Sequence, residues 1–227
     1  MRGPKVIGIG GFASNVGKTT LMCRLISAFP GWEAIKTTRG HYRSCGKDPH
    51  ACCVSHLLTD EPVLFSGRDK TYASGKDTGR YWDAGASDVH WMIATDQQVE
   101  KGIKSAIERV RSPGVFIEGN SFTEYIEPDA FIMVVPAVGA KSKSSARRAL
   151  NKISAIYLSR EDGVEVEESL HQLKKSAAVL SLPRDVPVYT EATVSQLIAD
   201  LNKIYSVTTQ TQTHEHDLVP QTSSSSS

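Results

Sequence analysis

The sequence predicts an α/β fold, a doubly wound, mostly parallel sheet with helices on both faces. Three observations lead there. Short, nearly continuous apolar runs, such as Lys5-Val6-Ile7-Gly8-Ile9-Gly10, have the length and content of strands buried on both faces. Between them lie stretches with apolar residues at helical spacing, and Pro-Gly pairs mark two of the joints. The 227 residues, 40% hydrophobic and 22% charged, have ordinary globular composition and ample length for a buried core.

Residues 5–10 form the first strand. The helix over 18–29 follows, with Leu21, Met22, Leu25 and Ile26 on one face, and Pro30-Gly31 stops it. Residues 32–37 make the second strand. From 38 to 74 the chain is polar and irregular, an inserted loop with a short helix near 52–58. Alternation then resumes with helix 77–84, strand 89–94 and helix 96–111. Pro113-Gly114 breaks the chain before strand 115–118, and strand 131–135 follows. Residues 143–150 read as helical, 153–158 as extended, 166–175 as helical, and 179–180 and 186–189 as short strands. An amphipathic helix over 193–205 closes the fold, with Val194, Leu197, Ile198 and Leu201 on one face. One domain therefore covers 1–206. Residues 207–227 are mostly Thr, Gln and Ser and predict a disordered tail with almost nothing to bury, His214-Glu215-His216 included.

The formal net charge is +1, so no global field favours nucleic acid or an anionic membrane. Lys141, Lys143, Arg147 and Arg148 form a small basic patch that reads as a solvated helix face. No apolar run approaches the roughly 20 residues that span a bilayer. The opening apolar run is too short for a signal-peptide core. The expectation is a cytoplasmic protein with neither nucleic acid nor membrane as partner.

The phosphate loop carries the strongest signal. Gly10-Gly11-Phe12-Ala13-Ser14-Asn15-Val16-Gly17-Lys18-Thr19-Thr20 lies between a buried strand and a helix. Backbone amides of such a loop converge on phosphate oxygens, and the helix N-terminus adds roughly half a positive charge. Gly11, Ser14, Asn15, Val16, Gly17, Lys18, Thr19 and Thr20 are the candidate nucleotide contacts. Lys18 is placed to reach the β- and γ-phosphates, and the Thr19 hydroxyl to meet Mg²⁺. The strict spacing puts its first Gly at position 12, where this chain has Phe12.

A carboxylate on a neighbouring strand completes such a site, and Glu118 at the end of Val115-Phe116-Ile117-Glu118 is the candidate, with Lys18 as its catalytic partner. Lys36-Thr37-Thr38-Arg39 emerges on the same rim, either to meet phosphate or an anionic substrate or as a solvated basic loop. Asp77 in Gly75-Lys76-Asp77-Thr78 is either a helix N-cap or a Mg²⁺ or substrate contact. Four cysteines are present, Cys23, Cys45, Cys52 and Cys53. Cys45, Cys52, Cys53 and His56, crowded with His41 and His50, are candidate ligands of a second metal. A substrate or partner loop without metal and a redox switch are the competing readings, since no Cys-x-x-Cys pair occurs. Cys23 has apolar neighbours and reads as core.

The longer spacing from Gly11 to Gly17-Lys18-Thr19 resembles dethiobiotin synthetase and its relatives, in the broad class of P-loop NTPases that includes MinD-like ATPases and signal-recognition GTPases. Gly17-Lys18-Thr19-Thr20-Leu21, Ala34-Ile35-Lys36 with His41, Gly75-Lys76-Asp77-Thr78 with Asp83-Ala84-Gly85-Ala86, and Ile117-Glu118-Gly119 together resemble the molybdopterin-guanine dinucleotide biosynthesis protein B (MobB) family over roughly residues 5–135. The resemblance implies a P-loop NTPase fold and a GTP-binding accessory protein of cofactor biosynthesis that docks a partner enzyme. Relatives of the wider class imply a homodimer. The residues alone leave two functions open. One is an ATP- or GTP-dependent NTPase, kinase or ligase acting on a small metabolite; the other is a non-catalytic, nucleotide-dependent docking module.

Overall fold

Apolar strands whose residues point alternately to two faces need a helical layer on each side, and the computed structural model of the chain has both. It describes residues 3–40, 54–136, 142–159 and 186–213. In chain order these form β1 (Lys5–Gly11), α1 (Lys18–Ala28), β2 (Glu33–Arg39), β3 (Val63–Ser66), α2 (Arg68–Thr71), α3 (Asp77–Asp83) and β4 (Val89–Ala94). They continue with α4 (Val99–Arg109), β5 (Gly114–Glu118), β6 (Ala130–Pro136), α5 (Ser144–Ala149), β7 (Ala155–Ser159), β8 (Val188–Tyr189) and α6 (Val194–Thr213).

The described strands make one sheet in the order β3-β4-β2-β5-β1-β6-β7-β8. Only β3 runs antiparallel, against β4. The alternation within each strand splits the core in two. Val6, Val115, Ile117, Phe131 and Met133 face α4 and α5 together with Ile103, Ala106 and Ala146. Ile7, Ile9, Phe116, Ile132 and Val134 face the other way, toward Leu21, Leu25, Tyr81, Leu197 and Leu201 of α1, α3 and α6. Leu21, Met22, Leu25 and Ile26 of α1 are all buried, each contributing about 1.5–3 kcal/mol. That anchorage fixes the start of α1 against the C-terminal end of β1.

The chain leaves β1 to one side through α1 and β2, and returns from β5 to β6 on the other. Their C-terminal ends open a crevice above β1, the place where ligands bind in such sheets.

Several elements differ from the sequence expectations. The stretch 38–74 is not irregular throughout. β2 runs on to Arg39, paired with Ala94, and β3 and α2 lie within the stretch. Val63-Leu64-Phe65-Ser66 is too short to show a period, and its order comes from pairing with β4, where the Phe65 and Trp91 rings lie 5.7 Å apart. The closing helix also outruns its apolar stripe. α6 continues to Thr213, through seven residues whose composition predicts tail, with no Gly or Pro to end the backbone ladder. The predicted helix at 166–175, the strand at 179–180 and the remaining tail lie outside the described residues. No described helix is long and apolar enough to cross a membrane.

Candidate functional site

The loop between β1 and α1 turns on two positive-φ residues, Asn15 at 56° and Gly17 at 84°. Gly17 is the N-cap of α1, where a residue with a Cβ would be strained. No side chain caps the helix, so the amides of its first turn remain donors for an anion. Lys18 folds back over Gly11, where a Cβ would stand only 2.7 Å from Lys18 Cδ. Phe12 occupies the place of the expected Gly without blocking the loop. Its ring is buried in the core on the α4–α5 face, and its N–H donates to the Val134 carbonyl at 2.9 Å. Val16 is buried in the opposite core, while Ser14, Asn15 and Thr20 are exposed. Asn120 pins the base of the loop. It accepts from the Gly11 N–H at 2.8 Å and donates Nδ2 to the Gly11 carbonyl at 2.9 Å.

Four segments converge at Thr19. Lys36 of β2 and Glu118 of β5 are register partners, so the sheet itself sets their side chains side by side. The Thr19 hydroxyl lies 3.0 Å from Asp77 Oδ1 and 3.1 Å from Glu118 Oε2. Lys36 Nζ stands 2.5 Å from Asp77 Oδ2 and 2.7 Å from Glu118 Oε1. Lys18 Nζ is farther, 4.0 Å from Glu118 Oε1. The buried Tyr81 hydroxyl donates to Glu118 Oε2. Asp77 is not an N-cap: Lys76 holds that position, and Asp77 is the first residue of α3, turned toward α1.

Electrostatics separate the two lysines. Burial pulls Lys18 below the ordinary lysine value, and the neighbouring charges of Lys36 and Lys143 add to it against the pull of Glu118 and Asp77. Burial acts on Lys36 in the same sense, but Glu118 and Asp77 outweigh it and hold that ammonium above the ordinary value. Asp77 is lowered on balance, because hydrogen bonds from Lys36 and Thr19 overcome its burial. Burial and the Glu118 carboxylate push the Tyr81 phenol well up, so it stays a donor. The Thr19 hydroxyl and the two carboxylates within hydrogen-bond distance of it form a hard oxygen set, which fits Mg²⁺.

The remaining predicted residues fall elsewhere. Arg39 is engaged with Asp96 and, at 3.4 Å, with Ser121 Oγ. Lys143, Arg147 and Arg148 are exposed, as a solvated face requires; the Lys143 backbone N–H donates to the Phe12 carbonyl at 3.0 Å, beside the loop, and Arg148 pairs with Glu124. Cys45, Cys52 and Cys53, proposed from sequence for a second metal, lie outside the described residues, as do His41 and His50; His56 is exposed. Cys23 is half-buried on α1, against the core that contains Leu21 and Leu25.

Two members of the site escape sequence reading. Tyr81 follows Asp77 by four residues on one helix, a spacing that puts both on one face and was the available signal. Asn120, two residues after Glu118, offered only its place beyond a strand end.

No family model matches this chain, and no curated protein is significantly similar to it. Among solved structures the chain is similar to the signal recognition particle 54 kDa protein from Aeropyrum pernix K1 in complex with GDP. That likeness has 13% identity and a TM-score of 0.45, and covers 94% of this chain and 50% of that one. It is also similar to LpxK from Aquifex aeolicus in complex with ATP, at 14% identity and a TM-score of 0.44, covering 82% and 70%. A plasmid partition protein from Borrelia burgdorferi B31 bound to AMPPNP is 10% identical, with a TM-score of 0.42, covering 91% and 100%. The chain spans half the length of the signal recognition particle protein.

Proposed function

We propose that this chain binds a nucleoside triphosphate with Mg²⁺ in the cytoplasm and acts as an NTPase, or a kinase- or ligase-like enzyme, on a small metabolite of cofactor biosynthesis. One observation carries the reading. The hydroxyl of Thr19 and the carboxylates of Asp77 and Glu118 meet at 3.0 and 3.1 Å, directly beside Lys18 on the uncapped helix that follows the glycine loop. In this reading the first-turn amides of α1 and the Lys18 ammonium hold the phosphates. Thr19, Asp77 and Glu118 hold the magnesium, which when bound supplies charge neutralisation on the phosphate oxygens. Lys18 stabilises the charge that develops on a transferred phosphoryl group, and no covalent protein intermediate is needed. Tyr81 keeps Glu118 oriented by donating to Oε2, and Asn120 keeps Gly11 in place.

A second reading is a MobB-like GTP-binding accessory protein, homodimeric, that docks a partner enzyme. Its support is that Lys36, Asp77 and Glu118 come from three separate segments of the resemblance, and that both carboxylates reach Thr19 while Lys36 bridges them.

Calorimetric titration with ATP and with GTP, each with and without Mg²⁺, tests the proposal. Binding that depends on Mg²⁺ and disappears in Lys18→Ala is the expected result. Absence of binding by either nucleotide contradicts it. Phosphate release stimulated by a small metabolite favours the enzyme, whereas GTP preference with turnover only beside a partner protein favours the accessory reading.

A further inference from the structure

Among the described residues, Lys36 is the closest cation to both carboxylates of the site. Its ammonium bridges Asp77 Oδ2 at 2.5 Å and Glu118 Oε1 at 2.7 Å, and its side chain is only 17% exposed. Lys18, the phosphate-loop lysine, stands back at 4.0 Å from Glu118. The bridge is built into the fold, because Lys36 and Glu118 are paired in register on β2 and β5 and leave the sheet on the α1–α3 face. Glu118 is 3% exposed, and a buried carboxylate beside a second one requires a counter-charge. Lys36 provides it.

The same two carboxylates supply the set that fits Mg²⁺, through Asp77 Oδ1 and Glu118 Oε2 on the Thr19 side, while Lys36 holds their other oxygens, Oδ2 and Oε1. A divalent ion binds such oxygens at about 2.0–2.1 Å, which would set it a few ångströms from an ammonium held by the other oxygen of each carboxylate. Two and one positive charges a few ångströms apart repel by several kcal/mol near a protein surface. We infer that Lys36 is a resident counter-cation that competes with the divalent ion for Asp77 and Glu118, so that divalent-ion binding is conditional on a polyphosphate that accepts the displaced ammonium. This rests on the nucleoside-triphosphate reading above. It makes Lys36 a positioning residue: the site stays neutralised without nucleotide, and its metal affinity is low until phosphate arrives.

Mn²⁺ binding, followed by electron paramagnetic resonance of the free ion, tests this without reference to turnover. Wild type is expected to bind Mn²⁺ weakly alone and tightly with ATP or GTP. Lys36→Met, which keeps most of the apolar stem and removes the charge, is expected to bind Mn²⁺ without nucleotide at least about tenfold more tightly than wild type, the smallest effect consistent with a contact charge. Lys36→Arg, which keeps the charge, stays as weak as wild type. Lys36→Gln carries the same prediction as Lys36→Met and replaces it if circular dichroism shows that variant unfolded. Equal nucleotide-free Mn²⁺ affinity in wild type and the neutral variants overturns the inference. Failure of wild type to bind Mn²⁺ with either nucleotide overturns the underlying reading instead, and the nucleotide-free comparison still decides the place of Lys36.

Discussion

Two buried glutamates stand on neighbouring strands of the sheet, at opposite ends and on opposite faces. Glu33 opens β2 and Glu118 closes β5; they are 4% and 3% exposed. Glu33 Oε1 accepts the backbone amides of Arg111 and Ser112, both at 2.8 Å. Its Oε2 meets His90 Nε2 at 2.7 Å, and His90 Nδ1 meets Ser66 Oγ at 2.8 Å. This chain of contacts ties β3, β4, β2 and the turn before β5 together. Asp88 lies close to both, but it accepts the Gly67 and Val89 amides, so the trio is engaged within the protein. Glu118 has no backbone donor among its described side-chain contacts. Its oxygens meet Lys36, Thr19 and Tyr81, all side chains. A carboxylate held by amides is committed to the fold, whereas one held by side-chain tips can exchange a partner for a ligand. Burial alone does not distinguish the two, and the identity of the donors does.

Mutation should separate the two residues. Glu33→Ala leaves two amides and a ring nitrogen without their acceptor, and is expected to lower stability by about 3 kcal/mol in urea denaturation. Its Mg²⁺-nucleotide affinity should stay near wild type. Glu118→Gln should do the reverse, weakening Mg²⁺-dependent nucleotide binding by roughly tenfold to a hundredfold in calorimetry. Its stability should change by only about 1 kcal/mol. Similar stability losses in both variants would erase the distinction. Tyr81→Phe, which removes one donor to Glu118, should cost about 1 kcal/mol in urea, with a smaller loss of Mg²⁺-nucleotide affinity than Glu118→Gln.

The smallest effect is one of pH. Burial acts to raise Glu33 above its ordinary value of 4.5, but hydrogen bonds from His90, Arg111 and Ser112 outweigh it and the carboxyl is lowered. A carboxyl lowered on folding adds stability that is complete above the unfolded value and is lost as pH falls through the folded one. The gap in urea midpoint between wild type and Glu33→Gln should therefore be widest near neutrality and narrow as the pH falls below 4.5. A gap that widens in acid would contradict the assigned hydrogen bonds.

The parallel core was legible because its strands are apolar without interruption and its helices carry a clear stripe, as at Leu21, Met22, Leu25 and Ile26. β3 was not, because four residues in a polar stretch acquire their order from β4. The 207–213 extension was not, because polar composition does not forbid a helix that has already nucleated. Within the site, Lys18, Thr19, Lys36, Asp77 and Glu118 each carried a local signal at a strand end or helix start. What no spacing could convey is that Lys36 bridges two of them, or that Tyr81 reaches a carboxylate 37 residues away. Those contacts depend on which strands become neighbours.

The most direct measurement is the ratio of nucleotide affinities with and without Mg²⁺, taken by calorimetry on wild type, Glu118→Gln and Glu33→Gln under one set of conditions. The account predicts a large ratio in wild type and Glu33→Gln, and a ratio near one in Glu118→Gln. A ratio near one in wild type, or one that Glu118→Gln leaves intact, would show that Thr19, Asp77 and Glu118 do not form the magnesium site.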